Sequence, residues 1–304
     1  MKTPTVASLV KLGEALRGAG YSFVTVTPES HQRVLRRGRR ANGLRDVFGW
    51  NLPFGADDLP PDVALALREG GLATEGEAGL VSQVRFSTLD DGLYAHSAFP
   101  TDAVDAVFFG PDTYRFCRAV RQARTSAGVV VDVGCGSGAG GIVAGHDAQR
   151  IILADVNERA LLFARANAVL NGVGRAEVVL SDVLAGVDAA PDLVVANPPY
   201  LRDARGRTYR EGGGSFGEAL AVRIVLESLA RLVPGGRLLL YSGAAIVEGV
   251  DTFFSAVRPM LEDANAAVRY EEIDPDVFGE ELSGAAYAAV DRIAAVVLEA
   301  TLPG

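Results

Sequence analysis

Residues 129–138 read Val-Val-Val-Asp-Val-Gly-Cys-Gly-Ser-Gly, and this stretch decides the fold. Its first half, Val129 to Val133, is rich in β-branched residues and predicts a buried strand. Alternate residues from 134 to 138 are then glycines, which permit a tight turn and the close approach of a ligand that a Cβ would block. The pattern therefore predicts a strand that ends in a ligand-binding turn.

The chain around this stretch alternates predicted strands and helices from about residue 105 to the end. Further strands are expected at 151–154, 176–180, 192–196, 237–241, 267–273 and 290–299. Helices are expected from Ala139 and at 157–171, 217–232 and 246–262. Such alternation predicts an α/β fold, with a parallel sheet covered by helices on both faces.

The first 104 residues have a different pattern and predict a smaller α+β domain. Short helices are expected at 3–19, at 29–40 and from Pro60 to Arg68, before two strand-like runs at 79–88 and 92–98. An Asp91-Gly92 turn between the two runs predicts a hairpin. This order outlines a winged-helix-like domain. We therefore expect residues 1–104 to serve substrate recognition or dimerisation, and residues 105–304 to form the strand–helix domain.

Composition narrows the function classes. The chain has 304 residues and a formal net charge of −9, which weighs against a broad nucleic-acid surface. Its two cysteines, Cys117 and Cys135, lack C-x-x-C spacing and are expected to be reduced, and the three histidines lack metal-ligand spacing, so no metal is predicted. No apolar run approaches the length of about 20 residues that spans a bilayer, and no leader pattern is visible. A cytoplasmic protein without membrane association is expected.

Residues 132–138 form a D-x-G-x-G-x-G signature that resembles motif I of class I S-adenosylmethionine-dependent methyltransferases. The resemblance implies a Rossmann-like sheet of seven strands that ends in an antiparallel hairpin, with S-adenosylmethionine as cofactor at the carboxyl ends of the strands. A dinucleotide site is the alternative, because the glycines at 136, 138 and 141 also satisfy G-x-G-x-x-G. The acid before the turn and the sequence Asn-Pro-Pro-Tyr at 197–200 favour the methyl donor.

Each predicted strand end supplies a candidate cofactor contact. Motif I would lie beneath the methionine and ribose portions, Asp155 is suited to accept hydrogen bonds from the ribose hydroxyls, and Asp182 from the adenine amine. The alternative for both acids is ordinary turn or N-cap chemistry. The predicted cofactor-binding residues are Thr113, Asp132, Gly134, Cys135, Gly136, Gly138, Asp155, Val156, Ser181, Asp182, Val183 and Asn197.

The segment Asn197-Pro198-Pro199-Tyr200 resembles the N-P-P-[YF] motif of methyltransferases that modify a nitrogen attached to a planar system. The Asn197 side-chain oxygen and the Pro198 carbonyl can accept both N–H bonds of such a nitrogen, which stabilises the positive charge that develops there. Tyr200 offers a flat face for stacking. Asn197, Pro198 and Tyr200 are therefore the predicted catalytic residues, the alternative being a proline-rich turn without chemistry.

Outside these motifs the chain is most similar to the release-factor glutamine N-methyltransferase group. The similarity rests on Gly110-Pro111-Asp112-Thr113, on Asn167, and on a glycine loop at 211–214 followed by a Pro-Gly-Gly turn at 234–236. It covers about residues 106–245 and leaves out the N-terminal domain. It implies that residues 110–113 wall the methionine end of the cofactor and that the acceptor is a protein glutamine amide.

Three kinds of methyl acceptor stay open at this point. The first is a glutamine or similar amide in a protein. The second is an exocyclic amine of a base in RNA or DNA, which the arginines within 33–40 and 202–210 favour if they bind phosphate rather than forming solvated surfaces. The third is a small molecule methylated on nitrogen or oxygen, with the N-terminal domain as a lid or as the interface of a homodimer.

Overall fold

The computed structural model describes residues 4–38, 40–55, 57–123 and 128–304. Its N-terminal part contains helices α1 (Val6–Gly18), α2 (Pro28–Leu35), α3 (Leu44–Phe48) and α4 (Pro61–Gly70), then strands β1 (Ala73–Gly76), β2 (Gly79–Ser82), β3 (Val84–Leu89) and β4 (Gly92–Ser97). The first half of the remaining chain contains α5 (Pro111–Gln122), β5 (Val129–Val133), α6 (Ala139–Ala144), β6 (Arg150–Asp155), α7 (Glu158–Leu170), β7 (Glu177–Leu180) and β8 (Leu193–Ala196). The last elements are α8 (Ala219–Arg231), β9 (Arg237–Val247), β10 (Val250–Asp251), α9 (Thr252–Asp263), β11 (Ala267–Asp274) and β12 (Arg292–Thr301).

The central sheet confirms the predicted α/β fold. Its strands follow the order β11-β12-β9-β8-β5-β6-β7, and the short β10 pairs with β9 beside this path. The pairs that join β9, β8, β5, β6 and β7 are parallel, whereas β9, β12 and β11 pair antiparallel. One face of the sheet packs on α5, α6 and α7 and the other on α8 and α9, as shown by the buried clusters on the two sides. The motif I stretch therefore lies in the middle of a Rossmann-like sheet.

Two predictions about the N-terminal part are wrong in detail. The run 79–88 is not one strand, because it bends at Ser82, whose hydroxyl group bonds both the N–H and the carbonyl of Val84. Strand β2 therefore pairs with β1, and β3 pairs with β4 in a separate hairpin. The helix expected at 29–40 ends at Leu35, shortly before Gly38 adopts a left-handed φ of 64°.

Helix α7 joins the N-terminal part to the sheet. The side-chain amide of Asn167 bonds the N–H and carbonyl of Ala95 on β4, at 2.7 and 2.9 Å, and also the carbonyl of Ser137 in motif I at 2.9 Å. One turn later, the Asn171 amide bonds the N–H and carbonyl of Leu93. Apolar residues of α1, β3 and α7 form one buried cluster around these bonds. The boundary at residue 104 stays a prediction, since the packing is continuous across it.

Candidate active site

A cavity of about 880 Å³ lies at the carboxyl ends of β5, β6 and β8. Its walls come from motif I, from the loops after β6, β7 and β8, and from the segment between β11 and β12. The N-terminal part closes one side with the start of α2 and with residues 99–102. All of the predicted cofactor and catalytic residues except Gly138 line this cavity. A pocket of this size suits a nucleoside cofactor together with part of an acceptor.

The motif I turn depends on glycines, which leave space beside the cavity, and on one buried acid, which bonds to the backbone of α6. Gly134 and Gly136 have φ values of 66° and 53°, which favour glycine, and a Cβ on either would meet no other atom of the described chain within 4 Å. Both border the cavity, so the missing side chains leave room for a bound group. Asp132 accepts a hydrogen bond from the Gly141 N–H at 2.7 Å, and burial raises the pKa of its carboxyl to about 7. Gly138 turns the chain into α6 behind the cavity.

Asp155 lies at the end of β6 with both carboxylate oxygens engaged on one side. One accepts from the Gly136 N–H and the other from the Asn157 N–H, each at 2.9 Å. Burial raises the pKa of this carboxyl, although the bonds to the backbone oppose the shift. Each carboxylate oxygen can accept a further hydrogen bond, so the predicted ribose contact is sterically and chemically open. Val156, next in the chain, leaves 56% of its surface exposed at the cavity and offers an apolar face.

The segment after β7 is ordered by its own hydrogen bonds. The Ser181 hydroxyl donates to the Val183 carbonyl at 2.8 Å and accepts from the Gly186 N–H at 2.9 Å. Asp182 is more exposed and forms an ion pair with Arg223 of α8, with both of its oxygens within 2.9 Å of Nη1. An adenine amine at Asp182 would share the carboxylate with this arginine. The predicted adenine contact therefore stays a prediction.

The N-P-P-Y segment presents two unoccupied acceptors to the cavity. Asn197 is half-buried at the end of β8, and across the described residues its side chain has no hydrogen-bond partner. The Pro198 carbonyl likewise accepts no hydrogen bond from the part of the chain that the structure describes. Both residues line the cavity, so the two acceptors are available to the hydrogen-bond donors of a bound ligand.

Tyr200 has a role that the sequence did not reveal. Its ring is 7% exposed and lies between Tyr241 and Phe278, with centroids 6.2 and 5.9 Å away. Its hydroxyl donates to Asp112 at 2.8 Å, and the Tyr241 hydroxyl donates to the other oxygen of that carboxylate at 2.7 Å. Arg115 completes the set at 3.1 Å from Asp112. Asp112 therefore anchors the N-P-P-Y segment to α5. Stacking of a substrate on Tyr200 stays a prediction.

No sequence signal could have identified this anchor. Asp112, Tyr200 and Tyr241 are far apart in the chain and meet only because α5, the loop after β8 and β9 converge beside the cavity. The nearby residue Thr113 was singled out, and its hydroxyl accepts from the Gly110 N–H at 3.3 Å, where it caps α5. Its predicted contact with the cofactor depends on a cavity-facing position, which the structure provides.

The arginines of the loop after the N-P-P-Y segment are neutralised by acids. Arg207 pairs with Asp203 at 2.6 Å, and Arg205 with Asp102 at 2.9 Å. The other pairs in this loop are Arg202 with Glu211 and Arg210 with Glu281. These contacts tie the loop to the N-terminal side and to the segment before β12, so its arginines are committed within the protein.

The arginines within and shortly after α2 are different. Arg33, Arg36, Arg37 and Arg40 are exposed, and among the described residues none of them has an acidic partner. Arg39, which belongs to the same run, lies outside the described residues. The described arginines of the first run are thus without acidic partners, whereas the arginines of the loop at 202–210 are ion-paired.

Comparisons with known proteins agree with this architecture. The family model described as "Methyltransferase small domain" matches residues 115–263. The release factor glutamine methyltransferase of Cereibacter sphaeroides is 32% identical over 203 residues, which are 62% of this chain and 70% of that protein. The ribosomal RNA small subunit methyltransferase C of Chromohalobacter salexigens is 35% identical over 115 residues, 38% of this chain and 31% of that protein. The chain spans 31% to 54% of the length of the first three curated relatives that it matches.

Solved structures show the fold. Trm5b from Pyrococcus abyssi superposes with a TM-score of 0.54 at 15% identity, covering 92% of this chain and 79% of that chain. Trm5 from Methanocaldococcus jannaschii, in complex with adenosine, has a TM-score of 0.52 at 17% identity and covers 76% of this chain and 58% of that chain. The glycine cradle and the Asp155 carboxylate fit S-adenosylmethionine, the methyl donor that the methyltransferase family implies. The chain belongs to the S-adenosylmethionine-dependent methyltransferases.

Proposed function

We propose that this enzyme methylates a planar nitrogen, either an amide or an exocyclic amine. The observation that carries the proposal is the pair of unoccupied acceptors, the Asn197 side chain and the Pro198 carbonyl, at the cavity beside motif I. A planar nitrogen bears two N–H bonds and a delocalised lone pair, which makes it a weak nucleophile. Two free acceptors in the lining of one cavity match the number of its donors.

The residues of the chain supply positioning and charge stabilisation. S-adenosylmethionine, when bound, supplies an electrophilic methyl group. Asn197 and Pro198 would accept from the two N–H groups, so that the nitrogen lone pair faces the methyl group. They would stabilise the positive charge that develops on nitrogen as the N–C bond forms and the methyl–sulfur bond of the donor breaks. The two prolines fix φ at their positions and keep these acceptors in place. The methylated nitrogen then loses one proton to water, so no dedicated base is needed.

Two kinds of methyl-accepting substrate satisfy this chemistry, and a separate observation favours each. A protein glutamine amide is supported by the names of three relatives, release factor glutamine methyltransferases that are 30% to 37% identical. An exocyclic amine of an RNA base is supported by the exposed arginines within and after α2, which are unpaired among the described residues, and by relatives named as ribosomal RNA methyltransferases.

A methyl-transfer assay tests the proposal. The protein and S-adenosylmethionine with a tritiated methyl group are incubated with separated protein, RNA, DNA and small-molecule fractions of a bacterial lysate. We expect label in a macromolecular fraction, on a nitrogen that mass spectrometry identifies as an amide or exocyclic amine. The same incubation with heat-denatured protein is the control. Label on carbon, oxygen or sulfur would contradict the role given to Asn197 and Pro198, as would transfer to no fraction.

A further inference from the structure

Helix α2 presents one continuous polar face that runs from the cavity to exposed arginines. Glu29 and Gln32 line the cavity, and both side chains are exposed. Arg33, Arg36 and Arg37 follow at the spacing of one helical face, and the helical turn continues through them, since the N–H groups of Arg36 and Arg37 bond the carbonyls of residues 32 and 34. Each turn advances about 5.4 Å, so the first arginines lie within one or two turns of the cavity.

The charge on this face is available to a partner. We call Arg33, Arg36, Arg37 and Arg40 the arginine face; the first three share one side of α2 and its last turn, and Arg40 follows the left-handed turn at Gly38. In the described ranges none of the four is ion-paired, and all are exposed. The loop of residues 202–210 has the same number of arginines, but each contacts an acid of the protein. None of the four lines the cavity, but Arg33 directly follows Gln32, which does, so uncompensated positive charge begins next to the cavity in a chain with a net charge of −9.

Another part of the cavity wall carries negative charge. Asp276 and Glu280 line the cavity from the segment between β11 and β12, and both are exposed. Within the described structure neither has a basic partner. These two carboxylates repel a polyanion. A polyanion that enters the cavity would therefore leave it on the side of α2 and not on the side of Glu280. The charge around the opening is therefore directional.

We infer that the arginine face binds the phosphate backbone of a single-stranded RNA segment whose target base enters the cavity. This inference rests on the proposed function and names its substrate class. A nucleotide acceptor brings phosphates to the mouth of the cavity, where a glutamine amide brings none. The guanidinium fork bonds phosphate oxygens in pairs.

The size of the arginine face favours an RNA loop over a duplex. Duplex DNA carries one negative charge per about 1.7 Å of axis and calls for an extended basic surface, which a chain of net charge −9 with four unpaired arginines in one place does not offer. Single-stranded RNA loops present bases that are already unstacked, and such a base needs few phosphate contacts to be held.

The test measures RNA binding directly. Fluorescence anisotropy of a labelled single-stranded RNA of mixed sequence is followed for the whole protein and for the variant Arg36→Ala/Arg37→Ala, over a range of salt concentrations. We expect the variant to bind about tenfold more weakly, and the slope of log K against log salt to become shallower by about 1.4, for two lost phosphate contacts. Arg258→Ala/Arg269→Ala removes the same charge from exposed positions that do not line the cavity and should bind as the wild type does. Arg33→Ala/Arg40→Ala is the second variant and should reproduce the loss.

Several results would overturn the inference. Equal binding by wild type and both arginine-face variants would remove the phosphate role, as would tighter binding to single-stranded DNA of the same sequence. Tighter binding to polyglutamate than to RNA, with the same loss in the variants, would assign the face to an acidic protein instead. Failure of the proposed function has a different signature, since the protein would bind RNA in this assay and yet transfer no methyl group to any fraction.

Discussion

Asp132 shows at the scale of one residue how burial changes chemistry. Its carboxyl lies beneath the glycine turn, accepts one hydrogen bond from Gly141, and has its pKa raised from 3.8 to about 7 by burial. In the unfolded chain the same group ionises near its ordinary pKa. Between these two pH values the folded state therefore holds a proton that the unfolded state has released.

The pH dependence of stability follows from this difference. Asp132 stabilises the fold fully below about pH 4, and this contribution is lost as the pH rises towards 7, by about 4 kcal/mol at most. In Asp132→Asn the group cannot ionise. The free energy of unfolding of the wild type, measured by urea denaturation, should therefore fall relative to that of the variant between pH 4 and 7. Asp147→Asn alters an exposed carboxylate, and its free energy of unfolding should vary with pH as that of the wild type does. The same pH dependence in all three proteins would refute the raised pKa of Asp132.

Asp155 is the second residue whose role can be measured alone. Asp155→Ala removes the predicted acceptor for the ribose hydroxyls and also the anchor of the Gly136 N–H. Cofactor affinity, measured by isothermal titration calorimetry, should fall by about 1–3 kcal/mol, the range for a hydrogen-bonding group left unpaired. Asp188→Ala alters an acid that does not line the cavity and serves as the control. Equal affinities in all three proteins would exclude the ribose contact.

The residues with local signals could be predicted, and those without them could not. Asp132 and Asp155 lie near the carboxyl ends of β5 and β6, and Asn197 directly follows β8. The carboxyl ends of parallel strands meet at one edge of the sheet, so that their meeting at one cavity follows from the pattern. Asp112 has no comparable signal as an anchor, because its two tyrosine partners are 88 and 129 residues away in the chain. Contacts of this kind depend on the angles between elements, which local patterns do not encode.

At the scale of elements, β9 determines where the N-P-P-Y segment can lie. Tyr200 packs flat against β9 at Gly243, where a Cβ would lie only 2.3 Å from Tyr200 Cδ2. The glycine is therefore required by the ring and not by backbone conformation, since its φ is not in the left-handed region. Because Gly243 has no side chain, the Tyr200 ring lies directly against β9, and this contact fixes the position of the Asn-Pro-Pro residues before it.

Gly243→Ala should impair catalysis and leave the fold in place. The added methyl group has to displace the Tyr200 ring and so weakens its hydrogen bond to Asp112. We expect kcat to fall by about tenfold or more, because misplacement of the acceptor residues by about 1 Å is costly, with little change in cofactor affinity. Methyl-transfer kinetics measure this change. Gly18→Ala, where a Cβ meets nothing within 4 Å, is the matched control, and a fully active Gly243→Ala would disprove the packing argument.

The elements themselves were predictable where periodicity was long and uniform. Most strands and helices of the second domain lie close to the expected ranges, because each buries one clear apolar set. Strand β9 is the exception, since it continues to Val247, and the helix expected at 246–262 begins only at Thr252. The break at Ser82 was missed, since one side chain bonding to the backbone two residues away redirects a strand without altering its apolar pattern. The early end of α2 was missed because the arginines after Leu35 are compatible with a helix.

At the scale of the whole molecule, the chain behaves as one packed body. The N-terminal helices share a buried cluster with α7, and the Asn167 amide bonds β4 and motif I together. Asn167→Leu would leave the N–H and carbonyl of Ala95 and the carbonyl of Ser137 unpaired in the interior. Because unpaired buried groups cost about 1–3 kcal/mol each, the midpoint of thermal unfolding should fall by several degrees in a single transition.

Differential scanning calorimetry checks this expectation. Asn42→Ala, at an exposed asparagine, should unfold as the wild type does. Two separate transitions in the wild type would contradict the continuous core, and so would an unchanged midpoint in Asn167→Leu. Net charge is the other whole-molecule property. A sum of −9 does not show where charges lie, and four arginines within or shortly after α2 are unpaired among the described residues.

The central claim is that Asn197 and the Pro198 carbonyl activate a planar nitrogen, and Asn197→Ala tests it most directly. In an assay with tritiated S-adenosylmethionine and the acceptor fraction, we predict that this variant loses methyl transfer by about 100-fold or more, while calorimetry finds cofactor affinity nearly intact. The loss follows because one of the two acceptors for the N–H bonds is gone while the glycine cradle and Asp155 remain. Full activity of Asn197→Ala would contradict the account.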